Sequence, residues 1–307
     1  MCGRTVVAMA PAELAKAAKA RLDEKAQNFE KRYNNPPGAR SPVVLKEGKE
    51  RIVKLMTWGL IPSYSKDGKS GFNMINARAE SVAEKPAFRR LVKNKRCVVP
   101  ISGFYEWLKE EGNKKVPPRP FLMYSDSGIE NPLFLAGLFD RWRGGEEGTV
   151  IESFTIITTA ANKQMAWLHD RMPAILATDE QVERWLDNDS STFSEKEMSL
   201  LTPFKGELKF REVSRLVSNV RNETAQCILP KEEVKVESPQ KKGQRSISAF
   251  FKKVPSPVRP AAHALNCPKK EEEDGDDVIV VSDTISPKRP LRRGGGIDVV
   301  ERKKAKK

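Results

Sequence analysis

The chain has 307 residues, a formal net charge of +14, 38% hydrophobic and 7% aromatic residues, which suits one sizeable globular domain plus a less compact part, and a polyanionic partner, nucleic acid before membrane. Four cysteines, Cys2, Cys97, Cys227 and Cys267, lie far apart without paired metal-ligand spacing, which argues against a disulfide framework or a zinc site. No apolar run approaches the length of a membrane span and no signal peptide opens the chain, so the expectation is a soluble intracellular protein with no membrane partner and no cofactor.

The first residues are Met1, Cys2, Gly3 and Arg4. A residue as small as Cys2 permits removal of the initiator methionine, which would leave one residue carrying both an α-amine and a thiol. An α-amine titrates near pH ~8, so roughly a tenth is unprotonated at neutral pH, against about one part in a few thousand for a lysine. Such an amine attacks an aldehyde, and the neighbouring thiol closes on the imine carbon to give a five-membered thiazolidine, a ring closure favoured by its intramolecularity. The other reading of Cys2 is a small buried residue on a first strand.

In chain order, a short strand over Thr5 to Met9 runs into Pro11, a favourable first helical position, and the Ala/Lys/Glu-rich composition predicts a helix to about Phe29. Arg32 to Pro42 reads as a loop from its Pro, Asn and Gly content. Arg51 to Trp58 reads as a strand, with Trp58 either in the core or stacked on a base. In FNMINARAE, Phe72 to Glu80, Asn76 and Arg78 share one face of an extended backbone, an amide beside a guanidinium that suits an anionic or sugar ligand; a solvated edge is the other reading. Ser81 to Glu84 matches a capping box and predicts a basic helix through about Lys95 carrying Arg89 and Arg90, either solvated or in contact with phosphates.

Arg96 to Leu108 is strand-like, punctuated by Gly103, and places Glu106 between Tyr105 and Trp107. Aromatic neighbours lower the local polarity, which would raise the pKa of Glu106 and make it a general acid near neutrality, unless it faces water. Further strands over Pro120 to Ser125, Pro132 to Trp142 and Ser153 to Ala160 suggest an antiparallel or mixed sheet that closes on itself. His169, in WLHDRMPAIL, is one of two histidines, and is either a structural residue or a proton shuttle. A capping pattern at Thr178 to Gln181 starts a short amphipathic helix to Asp187, and a strand follows near Leu208 to Val213.

Met-Cys-Gly-Arg, RYN followed by prolines, WGLIP, INARAE, RCVVP with GFYEW, HDRMPAIL and VSNVRN occur in the order found in the SRAP (SOS-response-associated peptidase) family, which the chain resembles over about residues 2–229. The resemblance implies an α+β fold: a sheet-rich domain with a closed or barrel-like mixed sheet, flanking helices and a basic cleft for single-stranded DNA and junctions. It implies that processed Cys2 traps the ring-opened aldehyde of an abasic site, with self-reversal, lyase activity and autocatalytic removal of Met1. On that basis Cys2 is the nucleophile, Asn76 orients the terminal amine or the sugar, and Arg78 holds a phosphate. Glu106 supplies acid/base catalysis and His169 bonds the opened sugar and shuttles a proton. Arg4, Asn34, Trp58, Arg89 and Arg90 resemble DNA-contacting or stacking positions.

Residues 230–307 are rich in Lys, Glu, Ser and Pro, too poor in apolar residues to offset chain entropy, and read as a disordered tail. Within it, Gln244, Ile247, Phe250 and Phe251 have the spacing of a sliding-clamp (PCNA) binding box. Val278, Ile279, Val280 and Val281, flanked by acids, resemble a SUMO-interacting strand, and PKRPLRR and ERKKAKK resemble nuclear import signals or DNA grips. The expectation is a nuclear, monomeric repair protein at replication forks. Two alternatives stay open: a cysteine-type peptidase acting on proteins, and a non-enzymatic clamp-bound DNA adaptor.

Overall fold

A computed structural model describes residues 2–69, 74–110, 115–145, 148–188 and 194–234. The clamp-binding, SUMO-binding and basic segments of the tail lie outside these residues.

The core is a closed barrel of five strands. The apolar runs of β4 (Arg40–Glu47), β5 (Glu50–Trp58), β7 (Arg96–Ile101), β10 (Leu133–Gly144) and β11 (Thr149–Ala160) pair in the order β5–β4–β7–β10–β11. A parallel contact of β11 with β5, Ser153 opposite Thr57 and Phe154 opposite Trp58, joins the ends. Closure leaves no unpaired edge on the ring, the general solution for a sheet whose inner face is apolar. The β4–β5 hairpin turns at Gly48, whose φ of +62° suits a residue without Cβ. Beside β11 run β6 (Asn76–Arg78) in parallel and β12 (Arg171–Pro173) antiparallel, while β13 (Ile175–Leu176) pairs with β10 and β2 (Arg21–Leu22) with β5.

A second sheet has the order β14–β9–β8–β1–β3, formed by β14 (Leu208–Glu212), β9 (Arg119–Ser125), β8 (Gly103–Leu108), β1 (Thr5–Val7) and β3 (Arg32–Asn35). Its inner face shares the main core with the barrel, because Cys2, Val7, Phe104, Met123 and Leu208 belong to one buried cluster with Val43, Trp58 and Phe154. The chain passes from barrel to second sheet between Ile101 and Gly103. A Cβ on Gly103 would lie 2.7 Å from the Met123 carbonyl oxygen, so only glycine lets the backbones approach there.

Three expected elements differ. The first helix, α1, spans Pro11–Ala18 and ends well before Phe29: Lys19 takes the left-handed conformation (φ 51°) and its N–H and that of Ala20 return to the carbonyls of Ala15 and Lys16. The next residues pair with β5, and that tertiary pairing outweighs a helix-tolerant composition. Arg32 to Asn35 is a strand rather than a loop, with Asn34 and Asn35 buried. The helix expected through Lys95 is helical only over α2 (Leu91–Asn94); Pro86 lacks an N–H and restricts Lys85, so the preceding segment runs as turns. By contrast α3 (Asp179–Leu186) carries its Thr178 cap, with the hydroxyl accepting from the Gln181 amide at 3.3 Å. A last short helix, α4, spans Glu195–Met198.

Candidate active site

Asn76 and Glu106 reach the start of the chain, and His169 shares a cavity with the strand that carries Glu106. Cys2 leads into β1 and is fully buried; Asn76 opens β6; Glu106 lies in β8; His169 stands in the turn before β12. The Asn76 side-chain Nδ2 donates to the Cys2 carbonyl at 2.8 Å, so the amide fixes the backbone of the residue that carries the thiol. Its Oδ1 is buried and accepts no hydrogen bond among the described residues. In β6 the alternation sends Ala77 into the core, while Arg78, at the far end of the Asn76 face, is exposed and makes no ion pair among the described residues.

Glu106 is 5% exposed, and burial is the main reason that its carboxyl is pushed up to about 7; the charge of Asp170 adds to this and the chain's positive amino terminus opposes it. The sequence neighbours do not cause this burial. Tyr105 and Trp107 point to the opposite face of β8, into a small cluster with Val6 and Leu122, whereas Glu106 shares the main-core side with Phe104 and with its cross-strand partner Phe121. The Cys2 thiol is also pushed well above its ordinary range, by burial first and by the Glu106 charge second. His169 is held below its ordinary value by burial and by the amino-terminal charge, with Asp170 acting in the other direction. The charge of Glu106 acts on the Cys2 thiol, and the charge of Asp170, next to His169, acts on Glu106.

His169 Nδ1 lies 3.0 Å from the Arg171 amide nitrogen and 2.7 Å from an Asp170 carboxylate oxygen. One ring nitrogen serves only one of these as acceptor or donor. The Arg171 amide is fixed by β12, while the Asp170 side chain is 85% exposed and screened by water, so the amide contact sets the tautomer and the proton sits on Nε2. Arg171 itself carries no signal in the sequence beyond its place in HDRMP. Its guanidinium grips Glu80 at 2.7 and 3.0 Å and the Thr158 carbonyl at 2.6 Å, tying the histidine turn to β11 and to the end of β6.

Several residues read as DNA contacts stand elsewhere. Trp58 is 1% exposed, stacks on Phe154 at 6.4 Å and donates to the Ile75 carbonyl at 3.0 Å, so its ring is core and offers no face to a base. Asn34 is fully buried: Nδ2 donates to the carbonyls of Val217 (3.2 Å), Asn219 (3.0 Å) and Asn222 (2.8 Å), and Oδ1 accepts from Arg4 at 2.7 Å. Its role is to bind the VSNVRN segment to the β1–β3 edge. Arg4 serves the same junction, donating also to Val217 O at 2.9 Å and lying 5.5 Å over the Trp107 ring. Arg89 and Arg90 are both exposed; Arg90 bonds buried Asp140 at 3.1 Å and Ser63 at 2.8 Å, while Arg89 makes no ion pair among the described residues.

A concavity of about 1050 Å³ is lined by Asp179, Glu180, Glu183, Asp187 and Glu197 beside Lys46, Arg184 and Lys196, and shares no residue with the Cys2 cluster. Its acidic wall suits no polyanion. A cavity of about 430 Å³ does adjoin the cluster, lined by Trp107, Leu108, Lys109 and Ala166 through Asp170, and so by His169.

The profile of the SOS response associated peptidase (SRAP) family matches residues 1–220. The abasic site processing protein HMCES of Xenopus tropicalis is 32% identical over 88% of this chain and 90% of its own length, and the abasic site processing protein YoaM of Bacillus subtilis is 39% identical over 65% of this chain and 85% of its own. Among solved structures, a protein of Bacteroides thetaiotaomicron, 27% identical, superposes with a TM-score of 0.62 over 74% of this chain and 99% of its own. The chain belongs to the SOS response associated peptidase family.

Proposed function

We propose that this protein captures abasic sites in single-stranded DNA by a covalent bond to Cys2 once Met1 has been removed. The observation that carries the reading is the 2.8 Å bond of Asn76 to the Cys2 carbonyl beside buried Glu106, whose charge acts on the Cys2 thiol and whose carboxyl is pushed up to about 7, with His169 on the adjoining cavity. An abasic deoxyribose is mostly a closed hemiacetal. A protonated carboxyl near neutrality donates to the ring oxygen as the C1–O bond breaks, exposing the aldehyde. The free amine of Cys2 adds to the carbonyl carbon, and loss of water gives the imine. The thiol sulfur then adds to the imine carbon while its proton passes to nitrogen, closing a thiazolidine with no change of oxidation state. Glu106 and neutral His169 supply and receive the protons, Asn76 holds the Cys2 backbone, and exposed Arg78 is placed for a phosphate. The same steps in reverse release the DNA, and elimination from the imine stage would cleave the strand.

The names of the relatives, abasic site processing proteins, support the substrate class. Removal of Met1 by the same cluster is the peptidase part of the reading. Clamp binding, SUMO binding and a nuclear location rest on the tail sequence alone.

The test is a denaturing gel of purified protein with a uracil oligonucleotide treated with uracil glycosylase. A slow-migrating adduct, lost for Cys2→Ser and mapped by mass spectrometry to the terminal residue, is the expected result. An adduct that survives Cys2→Ser, or a mature chain still blocked by methionine, refutes the mechanism.

A further inference from the structure

Trp167 is 49% exposed, yet it is anything but loose. Its ring meets Phe121 edge-on at 5.1 Å (88°) and Phe210 at 5.8 Å (53°), and Phe121 is backed on its own side by the Arg119 guanidinium at 5.4 Å. Two adjacent strands, β9 and β14, thus brace an indole that leaves about half of its surface in water. This braced, half-open ring stands on the cavity that also holds His169, two residues on, together with Trp107 and Lys109.

We propose that Trp167 is a stacking platform for the nucleobase next to the abasic nucleotide, with Lys109 meeting the phosphate of that neighbour; the inference rests on the DNA reading above. An abasic site has no base of its own to bind, so any aromatic recognition must fall on a flanking nucleotide. That nucleotide is at hand within one backbone step of the lesion that the Cys2 cluster would hold. A preorganised ring loses no rotamer freedom on stacking and accepts any base, because every base has a π-face. The exposed Lys109 is cationic, makes no ion pair among the described residues, and is close enough to contribute to the lowered pKa of His169. Asp170, in the same cavity, repels a phosphate, which restricts the backbone to the Lys109 side. A peptide side chain could fill the cavity instead, and the test separates the two.

The experiment uses single-stranded oligonucleotides carrying a tetrahydrofuran abasic analogue, which cannot crosslink, with 2-aminopurine on its 5′ or 3′ side. Binding to the wild-type protein should quench 2-aminopurine on one side only. Trp167→Leu keeps an apolar contact with Phe121 and Phe210 but removes the ring. It should abolish that quenching and weaken binding by about 5- to 150-fold, the range that a single stacked base contributes. Replacing the flanking base on that side with a second tetrahydrofuran should cost the wild-type protein the same factor and Trp167→Leu nothing further. Additive losses, or equal affinity of Trp167→Leu and wild type, overturn the platform while leaving the Cys2 mechanism standing. Failure of the wild-type protein to bind any of the oligonucleotides removes the DNA reading and the platform with it. The base-deletion arm needs no protein variant, so misfolding of Trp167→Leu leaves the comparison decisive.

Discussion

Glu106→Gln separates the reasoning most sharply, because it replaces a titrating group with an amide of the same shape. Glu106 titrates at about 7. Its protonated fraction therefore falls from about nine-tenths at pH 6 to about a hundredth at pH 9, while the free fraction of a terminal amine rises through pH ~8. Crosslinking that needs the protonated acid and the free amine together should peak between about pH 7 and 8 and fall on both sides. Glu106→Gln should lose the alkaline fall, because only the amine still titrates, and should be slower at the optimum by about 10² to 10⁴-fold, the usual worth of a positioned acid or base. The same carboxyl has a stability consequence of definite sign. Its folded value lies above the ordinary value of 4.5, so the folded state holds its proton more tightly. The stability this gives is present in full below about pH 4.5 and is lost as pH rises through about 7. A shift of that size corresponds to about 3 kcal/mol. Urea denaturation of both proteins between pH 5 and 8 should show wild type losing up to about that amount relative to Glu106→Gln. Parallel stability curves, or an unaltered alkaline limb in the crosslinking profile, would refute the placement of a raised carboxyl at the centre of the chemistry.

Asn76→Ala removes the bond to the Cys2 carbonyl, so crosslinking should slow by at least about tenfold in a gel time course while stability falls by only about 1 kcal/mol; an unchanged rate removes Asn76 from positioning. Asn34→Ala removes the bonds of a buried amide to Arg4 and to the carbonyls of Val217, Asn219 and Asn222 and should cost about 3 kcal/mol in urea denaturation, and an unshifted midpoint would contradict its structural role. Trp58→Ala should destabilise by about 3–5 kcal/mol as a core truncation; a variant of normal stability with selectively weaker DNA binding would restore the stacking role that the structure denies it. For the tail, replacing Phe250 and Phe251 with Ala should abolish recovery with the sliding clamp and leave the crosslinking rate as it was, and unchanged recovery would dismiss the box.

What local order could reveal was legible in the residues. Strands β5, β9, β10, β11 and β14 follow from apolar runs and turn residues, α3 from a threonine cap, and the break after β7 from Gly103, because each depends on interactions within a few residues. The chemistry proposed for a second-position cysteine likewise starts from one place in the chain. Where each polar side chain ends up is a different matter. The Asn-rich stretch before Pro36 has the composition of a loop, and it is a strand only because Asn34 and Asn35 find buried partners on segments up to 188 residues away. Trp58 could stack on a base or on Phe154, and the parallel contact of β5 with β11 that closes the barrel decides for the core. Glu106 is raised by burial, but pleating turns its aromatic sequence neighbours to the other face and lets a cross-strand phenylalanine lie on its own side instead. Periodicity and propensity act over a turn or a strand, whereas burial, tautomer and charge at a site are set by whatever the closed sheet brings alongside, and that is a property of the packed chain.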